Sequence, residues 1–115
     1  MTVFTEGRHA GEFVLSEGNG SISREQVTLA PVATRLQAGT VMGRLTSNGN
    51  FAPYNNAATD GTQTAVAVLY ADAPVSATTE QAVVIARAAE VAAALLTGLD
   101  TPGRADLAAV GIIVR

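Results

Sequence analysis

Residues 40–54 read TVMGRLTSNGNFAPY, and this stretch decides the fold class. Two largely apolar runs, Thr40–Leu45 and Phe51–Tyr54, flank a polar link that contains Asn48 and Gly49. An Asn-Gly step between two apolar runs is one of the strongest short-range signals for a β-hairpin. The sequence therefore predicts a pair of antiparallel strands at this point of the chain.

Further strand signals lie on both sides of this hairpin. Residues 27–30 (VTLA) predict a strand that Pro31 terminates, and residues 64–70 (TAVAVLY) predict a buried strand rich in alanine. Residues 81–88 (QAVVIARA) and the terminal residues 112–114 (IIV) predict two more. Apolar and β-branched residues in short runs between turn signals are typical of a β-rich domain.

One helix is predicted near the C-terminus. Thr101 is the expected N-cap, Pro102 the first helical position, residues 103–110 the helix, and Gly111 its end. Residues 89–96 are ambiguous, because alanine and leucine favour a helix whereas a buried sheet overrides weak propensity. The fold class expected is α+β: a small, β-rich single domain with hairpins, a mixed sheet and one short C-terminal helix.

The composition limits how strong the core of this domain is. The chain has 115 residues, of which 48% are hydrophobic but only 4% are aromatic, and it has no tryptophan. A core of alanine and valine gains less free energy per residue than a core of leucine and phenylalanine. We therefore expect association with other subunits to supply part of the stability.

The polar residues argue against several functional classes. The formal net charge is −3, and seven Lys plus Arg residues are too few and too scattered for a nucleic-acid surface. There is no cysteine, and the single histidine, His9, lacks the fixed setting of a general base. The carboxylates show no metal-binding spacing. We expect no enzyme activity, no cofactor, no metal, no nucleic-acid partner and, without a long apolar run, no membrane partner.

The loop Thr59–Gln63 (TDGTQ) has two readings. It has the composition of an anion-binding loop, or it is a turn that leads into the next strand, with Gly61 at a positive φ. The turn is the simpler interpretation and the one we favour.

The N-terminal residues 1–26 differ from the rest of the chain. They are polar and glycine-rich and offer too little apolar surface to fold alone, so they predict a flexible arm attached to a body of residues 27–115. Within the arm, residues 12–16 (EFVLS) are strand-like. This patch suits addition to the sheet edge of a partner, and equally it suits pairing back onto its own domain.

The motifs taken together resemble a known family. Their order and spacing are similar to those of the lambda-type head decoration proteins of tailed phages, from about Gly11 to Arg115. The matching segments are GEFVLSE (11–17), SRE (23–25), AGTVMG (38–43), DGTQTAVAVL (60–69) and LAAVGIIVR (107–115). One departure is Tyr54, which stands near the hairpin where the lambda-type protein carries a tryptophan.

The resemblance implies a function. Such proteins form homotrimers at the three-fold and quasi-three-fold positions of the expanded capsid, bind the major capsid protein, and stabilise the shell against internal DNA pressure without catalysis. Their N-terminal arm becomes ordered on the shell by pairing with capsid-protein strands. The expected location is the exterior of the virion capsid, and the host cytoplasm during assembly.

The resemblance also implies a binding site. The capsid-binding role falls on the arm, with Phe13 and Leu15 as its apolar anchors; its residues are Arg8, His9, Ala10, Gly11, Glu12, Phe13, Val14, Leu15 and Ser16. The alternative function is a small trimeric module of a phage tail or baseplate, or a β-domain that binds a small ligand.

Overall fold

The computed structural model of the chain describes residues 9–18 and 22–115. In these residues it has eight strands, one 3₁₀ turn and one α-helix, as a single β-rich domain. The elements are β1 (Val14–Glu17), β2 (Arg24–Leu29), β3 (Val41–Arg44), β4 (Phe51–Pro53), β5 (Ala67–Leu69), β6 (Glu80–Ile85), β7 (Ala89–Val91), the 3₁₀ turn (Ala93–Leu95), α1 (Thr101–Ala109) and β8 (Ile112–Val114). The predicted fold class is confirmed.

Five of the strands close into a barrel in the order β2-β4-β3-β5-β6. The predicted hairpin is present as β3 and β4, which pair antiparallel with Met42 opposite Pro53. In its loop the Gly49 amide donates to the carbonyl of Leu45 at 2.9 Å, and Gly49 has φ +76°. Glycine adopts this conformation readily because it has no Cβ, which explains why the Asn-Gly step is a reliable signal here.

The other three strands form a small open sheet in the order β1-β7-β8. β1 runs antiparallel to β7, and β7 runs parallel to β8, so the sheet is mixed. Residues 89–96, for which the sequence left strand and helix open, contain one element of each kind. Ala89–Val91 is the central strand of the sheet, and Ala93–Leu95 is a 3₁₀ turn. Ala89 and Val91 are both buried, so burial in the sheet overrides the helical propensity of this segment.

The helix begins one residue earlier than predicted. Asp100, not Thr101, is the N-cap: its carboxylate accepts from the Gly103 amide at 2.7 Å, and its backbone is extended. The predicted Thr101 cap is wrong because Thr101 already lies in the helix, while the longer acidic side chain before it reaches the free amide. Gly111, with φ +87°, follows the helix end as expected.

Two adjacent strands connect the two regions of the core. β5 and β6 present alternate side chains to opposite faces: Leu69 and Val84 lie inside the barrel, whereas Val68 and Ile85 pack towards the small sheet and α1. Phe13, from the N-terminal segment, is 1% exposed and lies in the same core cluster as Val68 and Ile85. The core next to the small sheet is therefore completed by a residue from the predicted arm.

Candidate functional site

The predicted binding residues lie around the start of β1. Arg8 lies outside the described residues. His9 to Val14 form a tight turn, in which the Val14 amide donates to the Gly11 carbonyl at 3.0 Å and the His9 amide donates to the Glu12 carboxylate at 3.1 Å. The Gly11 amide donates to the Tyr70 carbonyl at 2.8 Å, which ties this turn to the end of β5.

Gly11 also makes the approach to the barrel sterically possible. It has φ +68°, and a Cβ at this position would lie 2.8 Å from the Tyr70 ring. Only glycine therefore combines this backbone conformation with so close a contact. The turn therefore holds residues 9–14 against the end of β5.

Phe13 and Leu15 have opposite environments. Phe13 is buried in the core, whereas Leu15 is 56% exposed. A fully buried phenylalanine has no surface left for a partner, so Phe13 anchors this segment to its own domain in the structure. Of the two side chains, Leu15 is the one that offers accessible apolar surface.

The strand-like patch pairs back onto the body in the structure. β1 is hydrogen-bonded to β7, with Val14 opposite Val91 and Glu17 opposite Ala89, and its register shifts between Val14 and Ser16. The shift places Leu15 at an irregular point of the strand. β2 begins at Arg24, so part of the predicted arm 1–26 contributes strands to the domain.

Among residues 9–18 and 22–115, β1 has a strand neighbour on one side only. It is the end strand of the sheet order β1-β7-β8, so no described strand pairs with its outer edge. Ile22, 58% exposed, packs against the other end of this edge, because its Cγ2 atom lies over Gly18 directly after β1. We call the outer side of Val14–Glu17 with Leu15 and Ile22 the β1 edge. It combines strand-pairing capacity with exposed apolar side chains.

Polar contacts hold the β1 edge to the sheet. The Ser16 hydroxyl donates to the Glu90 carboxylate at 2.7 Å, and the Arg115 guanidinium donates to the same carboxylate. The hydrogen bond from Ser16, and then the one from Arg115, keep the pKa of Glu90 below its usual value. Glu17 at the end of β1 forms an ion pair with Arg24 at 2.7 Å. Hydrogen bonds from β1 and from the residue after β8 thus meet on one carboxylate of the central strand β7.

The connection between β1 and β2 is tied down at both of its described ends. The Ser23 hydroxyl, fully buried, donates to the Ala88 carbonyl at 2.8 Å and accepts from the Gly18 amide at 2.8 Å. The Gly18 amide also donates to the Ala88 carbonyl at 2.9 Å. The β1 edge is therefore held in place before any partner binds.

The loop 59–63 is a structural turn, as the sequence predicted. The Asp60 carboxylate accepts from the Thr62 hydroxyl at 2.6 Å and from the Thr62 amide at 3.0 Å, and the pKa of Asp60 is lowered chiefly by the hydroxyl. Gly61 has φ +111°, and a Cβ there would lie 2.3 Å from the carbonyl oxygen of Arg44. The Asp60 carboxylate thus closes the turn, and Gly61 allows the loop to lie close to β3.

Residues 9–18 and 22–115 hold no group of three or more His, Asp or Glu side chains placed to bind a metal ion. In the same residues, no helix has the length and hydropathy needed to span a bilayer.

Comparison with protein families identifies the class of the molecule. Residues 3–112 match the family of the bacteriophage lambda head decoration protein D. The chain belongs to this family. The family is a structural one whose members are components of the phage head, so the general role is a viral capsid decoration protein. A comparison with curated protein sequences found no significant match.

Sequence reasoning missed the residues that support the β1 edge. Glu90 and Arg115 lie far from β1 in sequence, and Ile22 lies beyond the predicted patch. One signal was available: Ala89-Glu90-Val91 alternates apolar, polar and apolar, which is typical of a half-buried strand with its polar residue facing out. Nothing local indicates that Ser16 is the partner of this glutamate.

Proposed function

We propose that the protein decorates the exterior of the expanded phage capsid as a homotrimer. It binds the major capsid protein at the three-fold and quasi-three-fold positions and stabilises the shell against the pressure of packaged DNA. The observation that carries this proposal is the family match over residues 3–112, nearly the whole chain. The same match favours decoration of the head over a tail or baseplate module.

Attachment to the shell uses the residues before Phe13 together with the β1 edge. Phe13 is fixed in the core and residues 9–12 form a turn that is hydrogen-bonded to Tyr70, so the segment proposed to reach a capsid subunit is residues 1–8. Fully extended, eight residues span at most about 29 Å. They pair with capsid-protein strands, and Leu15 adds an apolar contact beside them.

Three such attachments per trimer explain tight binding without any single strong contact. Linked binding events raise the overall avidity by about 10²–10⁴ over that of one site. The net charge of −3 also disfavours binding to the packaged DNA. We propose a purely structural role, without catalysis and without a cofactor. The protein assembles in the host cytoplasm and then resides on the virion.

The attachment is tested by co-sedimentation with expanded, undecorated shells. Deletion of residues 2–8 shortens the arm and leaves Phe13 in place, and Leu15→Asp puts a charge on the β1 edge. Both changes are expected to weaken binding at least tenfold. The matched control is Val110→Asp, an apolar-to-acidic change at a residue that is 36% exposed at the end of α1.

Unchanged binding by both variants would remove the arm and the β1 edge from the proposal. Circular dichroism of each variant shows whether the domain is still folded. Because Leu15 is exposed, its substitution is expected to leave the stability nearly unchanged.

A further inference from the structure

The loop of the β3–β4 hairpin contains a pair of residues that is chemically reactive in an unfolded chain. In an Asn-Gly step, the backbone nitrogen of the glycine can attack the side-chain carbonyl of the asparagine, because no Cβ on the glycine shields it. Asparagine is accordingly among the thermolabile residues of proteins. Asn48 and Gly49 form such a step, and Asn48 is exposed to solvent.

The reaction of this step is deamidation through a cyclic imide. The Gly49 nitrogen gives its proton to hydroxide and uses its electron pair to form a bond to Cγ of Asn48. The bond from Cγ to the side-chain nitrogen breaks, and that nitrogen takes a proton from water and leaves as ammonia. A water molecule then opens the ring at one of its two carbonyl carbons and leaves aspartate or isoaspartate. The net change replaces an amide by a carboxyl group.

The folded structure engages both reacting groups in other bonds. The Gly49 amide donates to the Leu45 carbonyl at 2.9 Å, so the proton that must leave is held in a backbone hydrogen bond. The side-chain carbonyl oxygen of Asn48 accepts from the Asn50 amide at 3.0 Å, which holds the side chain in place. Ring closure requires the Gly49 proton to leave its bond and the Asn48 side chain to turn towards the Gly49 nitrogen.

The Arg44 side chain restrains the same glycine from outside the loop. Its Nε donates to the Gly49 carbonyl at 3.2 Å, and its Nη2 lies 3.1 Å from the position that a Cβ on Gly49 would occupy. The guanidinium also lies over the Phe51 ring, 6.0 Å from its centroid. Arg44 is thus held by β4 on one side and contacts the reactive glycine on the other.

Backbone hydrogen bonds close the base of the loop. The Leu45 amide donates to the Asn50 carbonyl at 2.8 Å, across the hairpin. The Thr46 amide donates to the Asp60 carbonyl at 2.9 Å, which ties this loop to the loop 59–63. An opening that frees the Gly49 amide therefore disturbs several bonds together, and such openings are infrequent in a folded domain.

We infer that Asn48 is a latent deamidation site, which the folded hairpin protects and which reacts when the loop opens. Isoaspartate adds a methylene group to the main chain, so its formation here changes the link between β3 and β4. This modification is independent of the proposed role on the capsid.

Peptide mapping by mass spectrometry measures the reaction in the full-length protein. The wild type is incubated in mildly alkaline buffer, once folded and once unfolded in guanidinium chloride, and the amide lost at Asn48 is followed with time. We expect the rate at Asn48 to be at least tenfold lower in the folded protein. The second Asn-Gly step, Asn19-Gly20, lies outside the described residues and is the reference in the unfolded chain, where both steps should react at similar rates.

Arg44→Ala tests the contribution of the guanidinium. We expect it to raise the rate at Asn48 at least threefold in the folded protein and to leave the rate in guanidinium chloride unchanged, because the Asn-Gly step itself is intact. The matched control is Arg35→Ala, which removes an exposed arginine that is paired with Asp72 rather than with the loop. Circular dichroism shows whether each variant is folded.

Three results would contradict these expectations. Equal rates at Asn48 in the folded and unfolded wild type would overturn the inference, and so would an unreactive Asn48 in an unfolded chain whose Asn19 has reacted. A folded Arg44→Ala protein in which Asn48 reacts at the wild-type rate would overturn the role of the guanidinium. The comparison of folded with unfolded wild type does not require any variant to fold.

Discussion

The barrel and the small sheet differ in whether their outer strands are paired on both sides. In the barrel β2-β4-β3-β5-β6, every strand has a neighbour on both sides. The sheet β1-β7-β8 is open, and β1 at its end carries the exposed Leu15. Closure removes the sites at which other chains add strands, and an open edge retains them. We propose that attachment uses the open sheet, where β1 keeps an edge to which a strand can add.

The largest expected effect tests whether the open sheet depends on the N-terminal segment. Phe13→Ala removes a buried ring from the core between the sheet and the barrel, so we expect the free energy of unfolding to fall by about 3–5 kcal/mol. Urea denaturation measures it. The control Leu15→Ala, two residues further on and exposed, should change it by no more than about 0.5 kcal/mol. Equal effects would contradict the division between an anchoring and a contacting residue.

The next effect tests how tightly the barrel is packed. Gly61→Ala forces a Cβ to within 2.3 Å of the Arg44 carbonyl oxygen, so the loop or β3 must move. We expect a loss of about 1–3 kcal/mol from overcrowding, in addition to the strain of a positive φ.

Gly98→Ala is the matched control for this substitution. Gly98 also has a positive φ, +84°, but nothing lies within 4 Å of its Cβ position. It therefore reports the backbone strain alone. A loss as large at Gly98 as at Gly61 would show that the close approach of the loop to β3 is unimportant.

A smaller effect tests the link between the two regions. The Tyr54 hydroxyl, after β4, donates at 2.8 Å to the carboxylate of Asp100, the cap of α1. Tyr54→Phe removes this bond and is expected to cost about 1 kcal/mol at neutral pH, measured by thermal or urea unfolding.

The same pair predicts how stability changes in alkaline solution. Burial, and then the hydrogen bond to Asp100, raise the pKa of Tyr54 to about 12 from its ordinary value of 10.0. The folded state thus favours the neutral hydroxyl, so this stabilisation is complete below pH 10 and is lost as the pH rises from 10 towards 12. The Tyr54→Phe variant has no hydroxyl to titrate, so its stability should fall less than that of the wild type between pH 10 and pH 12. An identical pH profile for the two proteins would contradict the assignment.

The smallest effect concerns the carboxylate on the face of the open sheet. The pKa of Glu90 is lowered in the folded state from its ordinary value of 4.5. The stability that its carboxylate contributes is therefore present above that pH and is lost as the pH falls through the lower folded value. We expect Glu90→Gln to lose less stability than the wild type between pH 7 and pH 3 by urea denaturation. A larger loss of stability between pH 7 and pH 3 in Glu90→Gln than in the wild type would contradict this prediction.

Elements that are stabilised by neighbouring residues could be predicted from the sequence more accurately than elements that depend on contacts between distant segments. The β3–β4 hairpin is encoded by the local turn chemistry of Asn48 and Gly49, and the end of α1 by Gly111, so both were predicted from a few neighbouring residues. The helix cap was misplaced by one position because Asp100 and Thr101 are both good caps. Sequence alone does not decide which of the two reaches the Gly103 amide.

The open sheet was harder to predict because its strands are far apart in the chain. Ser16, Glu90 and Arg115 meet only after residues 14–17, 89–91 and 112–114 have paired, and no short pattern records such a pairing. The strand-like patch was correctly located, but its residues could not show that Phe13 enters the domain's own core. The structure shows where Phe13 and Leu15 lie, and the capsid-binding role of residues 8–16 stays a prediction.

The most direct test of the central claim is a binding isotherm of the wild-type protein on expanded, undecorated capsids. Decoration predicts saturable binding that reaches three copies at each three-fold and quasi-three-fold position, and at least a tenfold loss of affinity when residues 2–8 are deleted. Absence of saturable binding by a folded protein would contradict the account.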